Sequence, residues 1–411
     1  MSPKEDKMSS RPYKIVFCTP ALYSAGGVER VVSYKASYFA EQLGYDVTII
    51  VTEGRGRDCY FPLSDKVKVI NFELGFEELW KASFMKKVYL YLTKQRQYKR
   101  LLKAELMRIR PDITISMLRR EINFLTDIPD GSKKIGELHV NRANYRNFEA
   151  NDSNGVKRLF ARFWMKSLVG KLNRLDQLVV LTEKSKASWP ELSNVTVIPD
   201  PISIYPPPNP LPKGVGIEMK SDKCAKRVVT IGRYAYQKGY DLLLQAWADI
   251  EKLKKLEEVK EVNEWTLDIY GQGDQTDYRE LMTELGIDAN QCHLNGPVED
   301  VVKAYQDSSI FVLSSRFEGF GMVLIEAMAC GLPVVSFDCP AGPDEIITDG
   351  VDGLLVPSGD VHALAEKLMA LMSDENLRRR LGQRAFQTAK RYDMANLATQ
   401  WTALFEKVIK N

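Results

Sequence analysis

The stretch Glu318-Gly319-Phe320-Gly321-Met322-Val323-Leu324-Ile325-Glu326 sets two carboxylates eight residues apart around two glycines. Glu318 follows an apolar, strand-like run and falls in a loop. Gly319 and Gly321 let backbone approach a ligand closely. From Gly321 onward the pattern is helical and apolar on every side, which is the mark of a buried helix. Glu326 is its one charge. A buried carboxylate is costly unless it is paired or hydrogen-bonded. Sugar hydroxyls would satisfy it, and so would a core Arg or Lys. The free N–H groups at the helix start favour a phosphate. On the plainer alternative, Glu318 merely leads into the helix.

A second constellation is Gly232-Arg233 followed by Lys238-Gly239, just past the apolar run Val228–Ile231. Two cations at the carboxyl end of a strand suit a diphosphate, Arg as a planar fork and Lys as a point charge. They also fit two solvated surface cations. Gly26-Gly27-Val28-Glu29-Arg30 opens a helix with a phosphate-compatible turn, but lacks the GxGxxG of a dinucleotide site. His139 ends a strand and leads a polar loop, which fits a ligand contact or a structural histidine equally. No DxD triplet, P-loop or GxSxG elbow is present, so no carboxylate pair for a divalent ion is evident and no metal is expected. Cys292 and His293 have no second ligand pair at zinc spacing.

The elements that must position these residues alternate. Tyr13–Thr19 and Asp46–Thr52 read as strands around a helix from Val28 to Leu43, a βαβ opening. Further strands are expected at Val67–Asn71, Asp112–Met117, Lys134–Leu138, Gln177–Leu181 and Thr196–Ile198. The prolines between Pro199 and Pro212 break the pattern and mark a domain boundary. A second series runs from Arg227–Gly232 through strands at Trp265–Gly271, Gln291–Leu294, Ile310–Leu313, Pro333–Phe337 and Gly353–Val356, with helices between, one of them at Val298–Gln306. Apolar strands alternating with helices predict parallel sheets covered on both faces, with ligands at the carboxyl ends of the strands. The fold class expected is α/β, two facing Rossmann-like doubly wound domains with a central cleft.

The 411 residues suffice for two domains, and 45% apolar content for two cores. The six cysteines are scattered with no CxxC pair, as expected for a reducing cytoplasm. The polar N-terminus does not read as a signal peptide, and no run is long enough for a transmembrane helix. The net charge of +3 hides a basic, aromatic-interleaved run between Lys81 and Arg120 and a second at Lys157–Arg174. Such stretches suit an anionic membrane surface, or a solvated helix face over the core. No recognition motif for nucleic acid accompanies the charge.

Taken as an ordered set, these residues resemble glycosyltransferase family 4, also called glycosyltransferase group 1. The set is Glu318 with Glu326, Gly232-Arg233 with Lys238-Gly239, the segment Gly342–Pro357 (GPDEIITDGVDGLLVP), the N-terminal GGVER and the strand-end His139. The resemblance spans nearly the whole chain and is strongest from Val228 to Pro357. It implies a GT-B fold, retaining transfer and no required metal or cofactor. A UDP- or GDP-linked sugar is the co-substrate it implies, and a glycan or lipid-linked sugar the acceptor. It assigns Arg233, Lys238, Glu318 and His139 to catalysis. Gly26, Gly27, Gly232, Gly296, Val298, Gly319, Phe320, Gly321, Met322, Val323 and Glu326 are assigned to donor and nucleotide binding. By the same resemblance Arg233 and Lys238 hold the diphosphate, Glu326 the ribose, and Glu318 and His139 the donor sugar. Gly27 approaches the diphosphate or acceptor, and Gly296, Pro297 and Val298 frame the base. Asp200, in IPDPI, departs from the Asn common in the family near the interdomain crossing.

The domains implied are an acceptor-side domain at 12–199, joined by a crossing helix within 394–411, and a donor domain at 200–393. Bacterial surface polysaccharide synthesis (capsule, exopolysaccharide or lipopolysaccharide) is the expected setting. The expected location is cytoplasmic, peripheral on the inner face of the cytoplasmic membrane if the basic stretches bind it. The competing expectation is a GT-B protein that has lost transfer and serves as a nucleotide-sugar-binding or scaffold partner.

Overall fold

The computed structural model describes residues 11–54, 56–81, 83–140, 142, 155–203, 226–257, 264–340 and 342–410. Most of the proline-rich connector and of the polar loop after His139 lies outside these residues, as does Cys224. The chain divides into two compact units, one formed by residues up to Leu181, Lys186–Pro201 and Leu397–Asn411, the other by Thr182–Ser185 and Ile202–Asn396.

The first unit holds strands β1 (Lys14–Thr19), β2 (Asp46–Val51), β3 (Lys68–Asn71), β4 (Ile113–Ser116), β5 (Lys133–Leu138), β6 (Gln177–Val180) and β7 (Val195–Val197). They form one parallel sheet in the order β3-β2-β1-β4-β5-β6-β7. Helices α1 (Gly27–Glu41), α2 (Phe84–Ile109), α3 (Gly155–Leu172) and α4 (Glu183–Ala187) follow β1, β3, β5 and β6. β1 is apolar on both faces because both are covered. Val16 and Cys18 meet Tyr98, Leu102 and Leu106 of α2, while Phe17 lies beside Phe39 of α1. α2 stops where Pro111 disfavours helix for the residue before it, and Arg110 takes the left-handed conformation there (φ 51°).

The second unit repeats the plan with β8 (Arg227–Ile231), β9 (Thr266–Tyr270), β10 (Cys292–Asn295), β11 (Ile310–Leu313), β12 (Val334–Asp338) and β13 (Leu354–Pro357). Its order is β10-β9-β8-β11-β12-β13, all parallel. The helices are α5 (Tyr240–Glu257), α6 (Thr276–Leu285), α7 (Val301–Gln306), α8 (Met322–Ala329), α9 (Pro343–Ile346), α10 (Val361–Ser373) and α11 (Glu375–Ala389). Trp247, Leu243 and Leu244 of α5 and Leu364, Leu368 and Leu371 of α10 join Leu267, Val312 and Val335 in the core. α7 starts at Val301 rather than at the expected Val298, because the Asp300 side chain caps it by accepting from the Lys303 N–H.

The last helix, α12 (Met394–Lys410), has most of its length in the first unit. Trp401 and Phe405 are fully buried there, with ring centroids 6.3 and 5.7 Å from Phe39. Each such aromatic pair adds about 0.5–1.5 kcal/mol beyond area burial. In both sheets the strand order reverses beside the first strand of the unit, between β1 and β4 and between β8 and β11. These are the points where open α/β sheets leave a crevice at their carboxyl edge.

Candidate active site

In the second unit, the loops after β8 and β11 flank that reversal. β8 leads into Gly232 and Arg233, then a 3-10 turn at Tyr236–Lys238. Tyr234 pins this loop from below, its hydroxyl donating to the carbonyls of Ile269 (2.8 Å) and Asn295 (3.0 Å). Gly239 ends the turn at φ +60°, where a Cβ would lie 2.1 Å from the Ser314 carbonyl oxygen. Only glycine permits that approach, so the β8 loop seats directly on the end of β11. Ser314 returns a bond from its hydroxyl to the Lys238 carbonyl, 2.9 Å.

The result is an ion pair across the reversal point. Lys238 Nζ lies 2.7 Å from Glu318 Oε1, their side chains 15% and 8% exposed. Ser315 Oγ donates to the same oxygen at 2.6 Å. Arg233 is exposed and, among the described residues, has no ion-pair partner. A cation so placed is free for an incoming anion.

Past Glu318 the chain turns through buried Phe320 into α8, with Gly321 as its N-cap at φ 93°. Glu326 is 1% exposed, and Tyr305 of α7 donates to its Oε2 at 3.4 Å. Met322 and Val323 at the helix start are half-buried, unlike the residues after them. The segment 342–357 supports this loop. A Cβ on Gly342 would meet the Phe320 carbonyl oxygen at 2.6 Å. Asp352, buried, takes the Thr348 N–H and the Thr388 hydroxyl, both at 2.6 Å. Burial, then the charges of Glu326 and Glu318, push the thiols of Cys330 and Cys339 respectively up to about 12. Neither supplies a thiolate nucleophile at neutral pH. Gly296 and Val298 sit past β10, and the Gly296 carbonyl accepts from the Gly271 N–H at 3.2 Å.

In the first unit, Gly26 caps α1 and Gly27 begins it, with open space where a Cβ of Gly27 would stand. Glu29 is turned back onto the Ser24 hydroxyl, 2.8 Å. His139 follows β5 and is nearly buried, its Nδ1 3.0 Å from Asp200 Oδ2 and its Nε2 3.5 Å from Glu137 Oε1. Ligand atoms of Glu137, His139 and Asp200 lie within 4.8 Å of one another, a spacing open to a metal ion. The cation seated on Glu137 is the buried Lys35 ammonium, so the grouping is an ion-pair network.

The structure therefore brings Gly232, Lys238, Gly239, Glu318 and the start of α8 together at one strand-end edge, with Arg233 beside them. Residue types alone did not reveal Lys35, Glu137, Ser315 or Tyr305. A lysine on the buried face of α1 and a glutamate inside an apolar strand were the signals for the first two.

Residues 218–388 match the family described as glycosyl transferases group 1. The amylovoran biosynthesis glycosyltransferase AmsD of Erwinia amylovora is 26% identical over 400 residues, 95% of this chain and 98% of that one. An exopolysaccharide phosphotransferase of Streptomyces coelicolor is 35% identical over 237 residues, 57% of this chain but only 24% of that longer protein. Among solved structures, an S. aureus TarM variant in complex with fondaparinux, α-GlcNAc-glycerol and UDP superposes with a TM-score of 0.71 at 16% identity, over 96% of this chain and 99% of that one. The match to the glycosyl transferases group 1 family covers residues 218–388, and the two parallel sheets match the GT-B fold of the solved structures. Among the described residues, no helix is long and apolar enough to cross a membrane.

Proposed function

We propose that this protein is a retaining glycosyltransferase that moves a sugar from a nucleoside-diphosphate sugar to a hydroxyl acceptor in bacterial surface polysaccharide synthesis. The observation that carries the reading is the Lys238–Glu318 pair at the reversal point of the second sheet, beside the unpaired Arg233 and ahead of α8. An entering diphosphate would draw Lys238 away from Glu318 and engage Arg233, leaving the Glu318 carboxylate for sugar hydroxyls. The N–H groups at the start of α8 would add a partial positive charge, and Glu326 would take the ribose. No side chain at this edge is an evident nucleophile. Front-face attack through an oxocarbenium-like state fits, the leaving diphosphate accepting the acceptor's proton. The two cations and the helix end would stabilise the charge that develops on it. The UDP in the S. aureus TarM complex and the amylovoran role of the Erwinia relative support the donor and the pathway class.

The test is a screen of UDP and GDP sugars by thermal stabilisation, followed by transfer assays in excess EDTA. A ligand at a hundred times its Kd stabilises by about 2.7 kcal/mol. The expected result is stabilisation by one donor and diphosphate release that grows with acceptor and survives chelation. Stabilisation without release would favour the inactive binding protein. Loss in EDTA restored by Mg²⁺ or Mn²⁺ would overturn metal independence.

A second proposal concerns location. On α2, Met85, Val88, Tyr89 and Leu92 are 77%, 42%, 70% and 51% exposed. At this spacing they share one helix face. The helix carries eight basic residues and one acidic. An uncovered apolar stripe on a basic helix matches the surface of an anionic bilayer.

A further inference from the structure

The reversal edge of the second unit holds a charged group that the transfer reading does not use. Arg316 stands two residues before Glu318, in the loop after β11. Its guanidinium grips Asp241, the second residue of α5, with Nη1 2.7 Å from Oδ1 and Nη2 2.6 Å from Oδ2. Nη1 also donates to the Tyr236 carbonyl at 3.0 Å, and the guanidinium carbon lies 4.2 Å from the centroid of the Tyr236 ring. The Arg316 N–H donates to the Gln237 carbonyl at 2.8 Å, and the Gln237 side chain donates back to the Phe317 carbonyl at 3.0 Å. Burial raises the Asp241 carboxyl, yet the bond and charge of Arg316 bring it below the usual range.

What these bonds hold is the 3-10 turn Tyr236–Lys238, which carries the Lys238 ammonium. By itself the turn is weakly built. Its own backbone bonds run from the Lys238 N–H to the Ala235 carbonyl (2.9 Å) and from the Gly239 N–H to the Tyr236 carbonyl (3.3 Å), and 3-10 geometry makes such bonds poor. Every carbonyl of the turn is fixed instead by the loop after β11, Tyr236 and Gln237 by Arg316 and Lys238 by the Ser314 hydroxyl. Arg316 thus ties together the turn, the start of α5 and the approach to Glu318. It is not a second Arg233. Its fork is occupied by a carboxylate and a carbonyl, and Asp241 balances its charge, so it is not set to take an incoming anion. Tyr236 is 74% exposed, while every other described aromatic side chain of this unit is buried or half-buried. That ring fills no core. It covers the face of the Arg316 guanidinium.

We propose that Arg316, locked by Asp241, is a positioning residue for Lys238: it holds the turn against the end of β11 so that the ammonium stays within reach of both Glu318 and a diphosphate. The role rests on the transfer reading, in which Lys238 takes the diphosphate. Lys238 meets Glu318 at 2.7 Å because its backbone is kept in place. Exchange of Glu318 for a phosphate oxygen is then a movement of the side chain alone, with no loop to order at the moment of binding. Ordering a loop would subtract from affinity. Asp241 acts through Arg316, since a bidentate carboxylate fixes the plane of the guanidinium.

The experiment is a double-mutant cycle on the full chain, read by calorimetric titration with UDP and with GDP. Outer-shell partners of metal ligands are worth about 10–100-fold in affinity, and Arg316→Ala should cost about tenfold or more in the affinity of whichever diphosphate binds. In a Lys238→Ala background the same change should cost little more, because the group it positions has gone and residues that act through one another are not additive. Arg316→Lys should restore little, since a point charge lacks the fork. Asp241→Asn, which keeps one acceptor, should lose less than Arg316→Ala. A full Arg316→Ala loss in the absence of Lys238 would mean that Arg316 meets the ligand itself or serves the fold at large, and it overturns the proposal. Unaltered affinity in Arg316→Ala overturns it too. If Arg316→Ala fails to fold, Asp241→Asn and Tyr236→Ala, which removes an exposed ring, carry the cycle. A wild-type protein that binds neither UDP nor GDP would sink the transfer reading and the positioning role together, whereas binding with additive losses sinks the positioning role alone.

Discussion

At the scale of single residues, the candidate site turns on the Lys238–Glu318 pair and the exposed Arg233 beside it. Glu318 and Lys238 stand out by type and by the glycines beside them. Their pairing across eighty positions follows from β8 and β11 being neighbours, which no local pattern encodes. The pairing also separates the two cations experimentally. Arg233→Ala removes an exposed, unpaired group, so stability should hold within about 0.5 kcal/mol. Lys238→Ala takes a partner from a nearly buried carboxylate, and its apo melting should fall further than that of Arg233→Ala, with Ser315 still bonding Glu318. Both should lower kcat by about 10²-fold or more, as loss of a transition-state charge donor does elsewhere. Unchanged turnover in either variant removes that residue from the site. Glu326 poses the opposite question. Tyr305 donates to its carboxylate, a bond that Gln can still accept, and if the ribose is what the charge serves, Glu326→Gln should leave apo melting nearly unchanged. Ribose binding would lose a charge-assisted bond, roughly twice as strong as a neutral one, and nucleotide affinity should drop. Marked apo destabilisation with unaltered affinity would mean that the carboxylate serves the core.

At the scale of elements, strands and helices were readable because parallel strands covered on both faces run largely apolar, as β11 does throughout and β1 does from Ile15 to Cys18. Their ends were less so. The Asp300 cap moved the start of α7 three residues past the expected one, and Gly239 was set by a steric demand from another strand. Two glycines make contrasting tests. At Gly239 a methyl group meets backbone and φ is +60°, so Gly239→Ala should destabilise by about 1–3 kcal/mol and disturb the Lys238–Glu318 pair. Gly27 lies in the first turn of α1, and a methyl group there would find nothing within 4 Å, so Gly27→Ala should hold or gain about 0.5–1 kcal/mol. If the backbone at Gly27 meets ligand closely, that stable variant should still lose turnover. Melting curves and initial rates on the pair decide it. Full activity in Gly27→Ala would make the turn a helix start and no more.

At the scale of the whole molecule, the near-neutral charge hid its distribution. The basic run was visible in the sequence, but whether its aromatic and aliphatic residues faced core or solvent depended on how α2 lies against the first sheet. The packing splits them. Tyr98, Leu102 and Leu106 turn into the core, while Met85, Val88, Tyr89 and Leu92 stay uncovered on the N-terminal half of the same helix. Phe160 of the second basic stretch lies outside the residues whose side chains are described, and Phe163 is 73% exposed. If the α2 stripe meets a bilayer, binding should need both terms, apolar insertion and attraction to anionic headgroups. Vesicles with anionic lipid should therefore capture the protein, neutral vesicles should not, and capture should weaken as salt shortens the screening length from about 10 Å at 0.1 M to about 3 Å at 1 M. Replacing Met85 and Leu92 by Ser should weaken capture without lowering the melting temperature, because neither side chain is covered in the fold. Replacing Lys86 and Lys87 by Gln should lower the salt sensitivity instead. Equal behaviour toward neutral and anionic vesicles, or capture indifferent to the Met85 and Leu92 changes, would leave α2 as a solvated helix whose charges serve solubility alone.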